Sequence, residues 1–230
     1  MENCKNFCVI MAGGIGSRFW PLSTTDCPKQ FIDILGIGKT LLQLTFERFN
    51  RILPVENIFI VTSEKYKELV MEQLPQLKES QVLLEPLRRN TAPCVAYATY
   101  KILSICPTAR IVVSPSDHLI LKEDLFLNEI EKGLTFAGEN EVLVTLGIQP
   151  SRPETGYGYI QVNERLEFNG YGNLFKVKTF TEKPDRAMAQ VFVDTGEFYW
   201  NSGIFVWSAL TIQKAFEKYL PDVNALFDKG

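Results

Sequence analysis

Apolar and polar positions follow two spacings along this chain, and their order already outlines a fold. Residues 7–11 carry no charge and read as a buried strand. Over 41–52, Leu41, Leu44, Thr45, Phe49 and Ile52 recur at helical spacing, and Pro54 closes the segment. A strand is predicted at 57–62, a helix at 64–74, a third strand at 82–84 and a helix at 95–105. A fourth strand starts at Ile111 and ends in Asp117, followed by a helix at 126–136 and a strand at 142–148. Further on, 174–181 alternates like an exposed strand, a helix lies near 185–193, and Trp207 reads as core. The last helix is expected over 208–219, with Pro221 as its stop. This β-α-β-α-β order with short connections predicts an α/β fold built on a doubly wound parallel sheet. Ligands of such sheets sit at the carboxyl ends of the strands, and every motif below is expected at such an end. No repeat, low-complexity tract or linker interrupts the pattern, so 1–230 is expected to be one domain.

Composition narrows the classes. The chain has 230 residues, of which 46% are hydrophobic, ample material for a sizeable core. A net charge of −3 argues against general nucleic-acid binding, so any positive site must be local. The five cysteines (Cys4, Cys8, Cys27, Cys94 and Cys106) form no C-x-x-C pair and suit structural thiols in a reducing compartment. Neither a cleavable signal nor a membrane-spanning run is evident, which gives a cytoplasmic expectation with no membrane partner.

The strongest chemical signal follows the first strand, in residues 7–30, FCVIMAGGIGSRFWPLSTTDCPKQ. Gly13, Gly14 and Gly16 are expected to let the backbone take conformations that a Cβ forbids, so that successive N–H groups face one anion. Arg18 adds a planar fork of donors and Lys29 a mobile point charge, complementary tools for a polyphosphate. A dinucleotide fingerprint is excluded because Phe19 stands where the third glycine belongs, and the Gly38–Thr40 segment lacks the upstream glycine of a Walker loop. A plain glycine turn between strand and helix is the bland alternative. Downstream, Glu85 offers two acceptors of the kind that the two adjacent donors of a guanine edge require. Asn90 or Thr91 can cap the helix that follows, with Pro93 tolerated in its first turn, and Arg88 and Arg89 read equally well as solvated charge. Asp117 could hold a phosphate-bound Mg²⁺ by one carboxylate, or simply cap the next segment. His118 is the only histidine, so neither a histidine metal cluster nor a histidine triad is available.

Read together, these stretches resemble the sugar-phosphate nucleotidyltransferases. Residues 11–23, MAGGIGSRFWPLS, with Pro28-Lys29-Gln30, are similar to that family's L-A-G-G-x-G-x-R-L-x-P-L-S/T and P-K signature. Trp20 and Gln30 look like the guanylyltransferase branch that acts on mannose 1-phosphate, as does Glu85-Pro86 through Pro93 beside L-E-P-x-x-R-N-T-A-P. Residues 153–160 resemble P-x-T-G-Y-G-Y-I, Glu182-Lys183-Pro184 matches E-K-P, and 200–205 matches W-N-S-G-I-F. The resemblance spans essentially the whole chain in five ordered motifs.

What it implies is a Rossmann-like, doubly wound, mixed but mainly parallel sheet of the nucleotide-diphospho-sugar transferase kind and transfer of GMP from GTP to mannose 1-phosphate. Another sugar or base, or a non-catalytic nucleotide-binding subunit, are the rivals. The implied nucleotide residues are Ala12, Gly13, Gly14, Gly16, Ser17, Arg18, Glu85, Asn90, Thr91, Ala92 and Pro115. Tyr157, Gly158, Glu182, Lys183 and Asn201 are implied for the sugar phosphate, and Arg18, Lys29, Asp117 and Lys183 for catalysis, with Asp117 on Mg²⁺. The first half is thus expected to serve the nucleotide and the second the sugar, with a homodimer left open. The resemblance also implies a longer protein, whose D-V-G-S-W-like segment would give the metal a second carboxylate that nothing in this chain matches. A catalytic portion lacking it is expected to bind guanine nucleotide weakly, to turn over slowly and to expose an apolar patch that promotes self-association.

Overall fold

A computed structural model describes residues 5–14, 19–85, 91–168 and 171–227. They pack as two compact units: residues 1–144 with 205–230, and residues 145–204.

In the first unit, β1 (Asn6–Met11), β2 (Ile58–Ser63), β3 (Val82–Glu85) and β4 (Arg110–Pro115) lie in the order β3-β2-β1-β4, all parallel. The second half of β8 (Phe198–Ser208) adds to β4 antiparallel, with Val113 opposite Phe205 and Arg110 opposite Ser208. The mixed, mainly parallel sheet that the resemblance implies is therefore present, the antiparallel β8 being the addition to the parallel order read from the elements. β2 is buried at every position, as expected of a strand covered on both faces. One core on this sheet joins Phe7, Val9, Phe59, Val61, Ile111 and Val113 to Val95, Ala98 and Ile102 of α3 (Thr91–Ile105) and to Ile212 and Phe216 of α6 (Ala209–Tyr219).

Local signals place the helices. Thr40 and Gln43 form a reciprocal capping box at the start of α1 (Leu41–Asn50). Ser208 caps α6 by accepting from the Thr211 N–H. Pro221 does end that helix, but it also opens α7 (Pro221–Phe227), which the sequence reading did not anticipate; proline is suited to a first helical position, where no N–H is needed. The remaining first-unit helices are α2 (Lys67–Gln73) and α4 (Glu123–Glu139). Arg48, almost fully buried on α1, donates from Nε to Glu123 Oε1 at 2.8 Å and fastens α1 to α4.

The second unit holds β6 (Tyr159–Phe168) and β7 (Tyr171–Thr181), paired antiparallel, with the first half of β8 on the other side of β6. β5 (Val144–Ile148) also pairs with β8, and Thr145 Oγ1 donates to Ile204 O. α5 (Arg186–Thr195) starts at Asp185, whose side chain accepts from the Met188 N–H, and stops at Gly196 in the left-handed region, φ 69°. Its Ala189 and Phe192 pack on Tyr159, Phe198 and Trp200, with the Phe192 and Phe198 rings stacked at 3.9 Å.

Candidate active site

The turn after β1 is built from inside. The Ala12 N–H donates to Val61 O at 2.8 Å, so the ladder runs one residue past the strand. Ala12 O then accepts from two buried side chains, Thr62 Oγ1 and Gln30 Nε2, each at 3.0 Å. Gln30 Nε2 also reaches Gly14 O at 2.8 Å. Neither Gly13 nor Gly14 adopts a left-handed φ, which corrects the expectation that these glycines serve an otherwise forbidden backbone. A Cβ at either would meet no atom within 4 Å. What glycine provides here is open space beside the backbone, the condition for close approach of a ligand. Gly16, Ser17 and Arg18 lie outside the described residues.

Asp117 stands just beyond β4, in a turn held from two sides. The Ser116 N–H donates to Met11 O at 3.1 Å, and the fully buried Thr45 of α1 donates to Ser116 O at 3.2 Å. Pro115 pairs in register with Met11, so this turn and the glycine turn leave neighbouring strands at the same end. Lys29 Nζ lies 2.6 Å from Asp117 Oδ2, both side chains 25% exposed, and 5.4 Å from the Phe19 ring centre. His118 Nε2 is 4.0 Å from Asp117 Oδ1, and burial pushes the imidazole below its ordinary range despite that carboxylate.

No group of three or more metal-ligating side chains occurs among the described residues. A closed protein-only metal site, as for structural zinc, does not fit. Asp117 does fit a Mg²⁺ held by one carboxylate and completed by substrate phosphates and water: it is a hard oxygen donor, partly exposed, with Oδ1 not engaged by Lys29.

Glu85 ends β3, opposite Ser63 of β2, and is half-buried. It is engaged by the Cys94 thiol, one turn into α3. Burial first, and then the hydrogen bond to Glu85 and that carboxylate's charge, push Cys94 up to about 12. Thr91 and Ala92 form the first turn of α3, while Arg88, Arg89 and Asn90 lie outside the described residues.

Within the second unit, the residues implied for a sugar phosphate converge from three strands. The Asn201 N–H of β8 donates to Gly158 O at 2.8 Å, and Asn201 Oδ1 accepts from the Gly203 N–H. A Cβ on Gly158 would lie 2.6 Å from Glu182 Oε2 and 3.6 Å from Asn201 Cβ. Glu182 and Lys183 follow β7, with Lys183 Nζ 2.9 Å from Glu182 Oε1. Lys183 has φ 44°, and no other non-glycine among the described residues has a positive φ. Such strain persists where the surroundings over-determine it, commonly at functional sites. Tyr157 meets the buried Trp200 edge-on at 5.1 Å, and Arg152 covers the same indole at 5.4 Å. Arg152 also pairs with Glu154, which the Gly156 N–H holds, as its main perturbation, below the usual carboxylate range.

The expectation that every motif sits at a strand's carboxyl end holds for Gly13, Gly14, Glu85 and Asp117. It fails for Asn201, inside β8, and for Tyr157 and Gly158, which precede β6, because those strands are antiparallel. Sequence reasoning assigned no role to Gln30, Thr62 or Arg152. The first carries a local signal, an amide directly after Pro28-Lys29, whereas the contacts of Thr62 and Arg152 arise only from folding.

In the order β3-β2-β1-β4, the glycine turn follows the inner strand β1 and the Lys29–Asp117 pair stands just past the neighbouring β4. The family model described as nucleotidyl transferase matches residues 7–226. This chain belongs to that family. A mannose-1-phosphate guanylyltransferase from Salmonella montevideo is 43% identical over 205 residues, covering 87% of this chain and 42% of the relative. One of the same name from Escherichia coli strain K12 is 40% identical over 234 residues, covering 100% of this chain and 48% of the relative. This nucleotidyl transferase chain therefore spans about half the length of the curated relatives it matches. A solved structure from Thermus thermophilus, described as a mannose-1-phosphate geranyltransferase, is similar with TM-score 0.86 and 32% identity, covering 98% of this chain and 64% of that one. No described helix is long and apolar enough to cross a membrane.

Proposed function

We propose that this chain carries the chemistry of guanylyl transfer: mannose 1-phosphate attacks the α-phosphorus of GTP, the bond to the bridging oxygen breaks, and GDP-mannose and pyrophosphate form. The observation that carries the reading is the Lys29–Asp117 pair at 2.6 Å beside the open Gly13–Gly14 turn, a cation and a hard carboxylate where a polyphosphate would lie. The names of the relatives point to GMP and mannose 1-phosphate, and Glu85 supplies the acceptor pair that a guanine edge needs.

In this reading the amides of the glycine turn, Arg18 and Lys29 hold the triphosphate, with Ala12, Gly16, Ser17, Asn90, Thr91, Ala92 and Pro115 lining the nucleotide. Asp117 would hold Mg²⁺, which when bound supplies charge neutralisation at the phosphates. Lys183 neutralises the acceptor phosphate, and Glu182 and Asn201 take mannose hydroxyls beside Tyr157 and Gly158. A sugar phosphate is largely dianionic at neutral pH, its second pKa being about 6, so the attacking oxygen requires no general base. Placement and electrostatics then do most of the catalysis.

The test pairs each common nucleoside triphosphate with mannose 1-phosphate, glucose 1-phosphate and galactose 1-phosphate and separates the products by chromatography. GTP with mannose 1-phosphate should give the highest turnover. Preferential use of UTP or dTTP, or of another hexose phosphate, would replace this reading with a related specificity. Nucleotide binding without product from any pair would favour a non-catalytic role.

A further inference from the structure

We infer that Gln30 is the positioning residue of the phosphate-binding turn, fixing its peptides before any nucleotide arrives. The inference rests on the reading that this turn holds a triphosphate. Gln30 is only 2% exposed, and its single amide nitrogen donates to two alternate carbonyls of the turn, Ala12 O at 3.0 Å and Gly14 O at 2.8 Å. An amide nitrogen has two hydrogens, so this bridge uses its whole donor capacity. A trans peptide sets its C=O and N–H on opposite sides. Drawing the Ala12 carbonyl towards Gln30 therefore turns the Gly13 N–H away from it, towards the side that a phosphate would occupy. Thr62 Oγ1 anchors the same Ala12 carbonyl from β2, but among the described residues only Gln30 ties Ala12 and Gly14 to each other.

The position is demanding chemically. Glutamate has the shape of glutamine but, when ionised, no hydrogen to donate, and it would set an anion against two carbonyl oxygens. Methionine keeps the length and loses both bonds. Asparagine is one methylene shorter and cannot span both carbonyls from the same backbone position. Gln30 adjoins Lys29, whose amine pairs with Asp117, so one short segment both places a cation beside that carboxylate and bonds the turn.

The experiment compares the wild-type chain with Gln30→Glu, Gln30→Met and Thr62→Val. It measures GTP and mannose 1-phosphate affinity separately by calorimetry, together with thermal melting. Gln30→Glu and Gln30→Met are expected to weaken GTP binding about tenfold or more, equivalent to roughly 1.4 kcal/mol. Mannose 1-phosphate affinity should change less than twofold, and Thr62→Val, which spares the Gly14 bond, should weaken GTP less than either Gln30 variant. Unchanged GTP affinity in folded Gln30 variants, or equal losses for both ligands, would overturn the proposal. Should these variants not fold, nuclear magnetic resonance of the wild type decides: the Gln30 side-chain amide protons must be protected from exchange, and rapid exchange refutes the bridge. If the wild type binds no GTP while those protons stay protected, the phosphate reading fails and the proposed purpose of the bridge fails with it.

Discussion

Gly158→Ala tests, with a single methyl group, the cluster proposed for the sugar phosphate. The new Cβ would stand 2.6 Å from Glu182 Oε2, too close for any real contact, while its next neighbour, Asn201 Cβ, is at an ordinary 3.6 Å. The carboxylate must therefore retreat by about 0.8 Å to reach van der Waals distance. Glu182 is 68% exposed and its carboxylate ends a flexible side chain, so it can move without disturbing the core. Stability should fall by less than about 1 kcal/mol. Function should suffer more, because the displaced carboxylate carries its Lys183 partner with it. A charged hydrogen bond to a sugar hydroxyl is worth roughly 1.5–3 kcal/mol, so its loss predicts about a 10–100-fold drop in kcat/KM for mannose 1-phosphate. The assay is steady-state kinetics with each substrate varied in turn, beside a thermal melt. Unchanged kinetics towards mannose 1-phosphate, or an equal loss of GTP affinity, would refute the assignment of Glu182 to the sugar.

Further predictions probe other parts of the site. Lys183→Ala should raise KM for mannose 1-phosphate far more than KM for GTP, whereas Lys183→Gly should do the same and also gain about 1 kcal/mol of stability, because glycine accepts φ 44° without strain; equal melting temperatures for the two variants would deny the strain. Glu85→Gln should reduce the preference for GTP over UTP by about 1–3 kcal/mol, seen as a ratio of kcat/KM values, by leaving one guanine donor unmatched. Asp117→Asn should keep the fold by circular dichroism and lose metal-dependent turnover, since an amide supplies no charge for Mg²⁺; a fully active variant would remove the metal from Asp117. Iodoacetamide at pH 8 should label the partly exposed Cys27 before Cys94, whose thiol is buried and pushed up to about 12, and peptide mass mapping that finds Cys94 first would contradict that environment.

The sequence disclosed those parts that burial writes into local pattern. Uncharged runs announced β1 and β4, and the periodicity of Leu41 to Phe49 announced α1. β6 escaped because it is held by its ladder to β7 more than by burial: beyond Ile160 its positions are half-buried or exposed, so Asn163, Glu164 and Arg165 break any alternation. α7 escaped because a proline that ends one helix can also begin the next. The site divides in the same way. The strand-end positions of the candidates Glu85 and Asp117 were legible because polar groups following apolar strands stand out. The left-handed backbone of Lys183, the pairing of Lys29 with Asp117 and the bridge from Gln30 to Ala12 and Gly14 are products of tertiary placement, and no local pattern encodes them.

The central claim, transfer of GMP to a sugar phosphate, is tested most directly by tracing phosphorus. The chain is incubated with mannose 1-phosphate, Mg²⁺ and GTP labelled at either the α- or the γ-phosphate, and the products are separated. Label from the α-phosphate should appear in GDP-mannose and label from the γ-phosphate in pyrophosphate, in equal amounts. Alpha label remaining with GTP or passing to free GMP, with no labelled sugar nucleotide, would contradict the account.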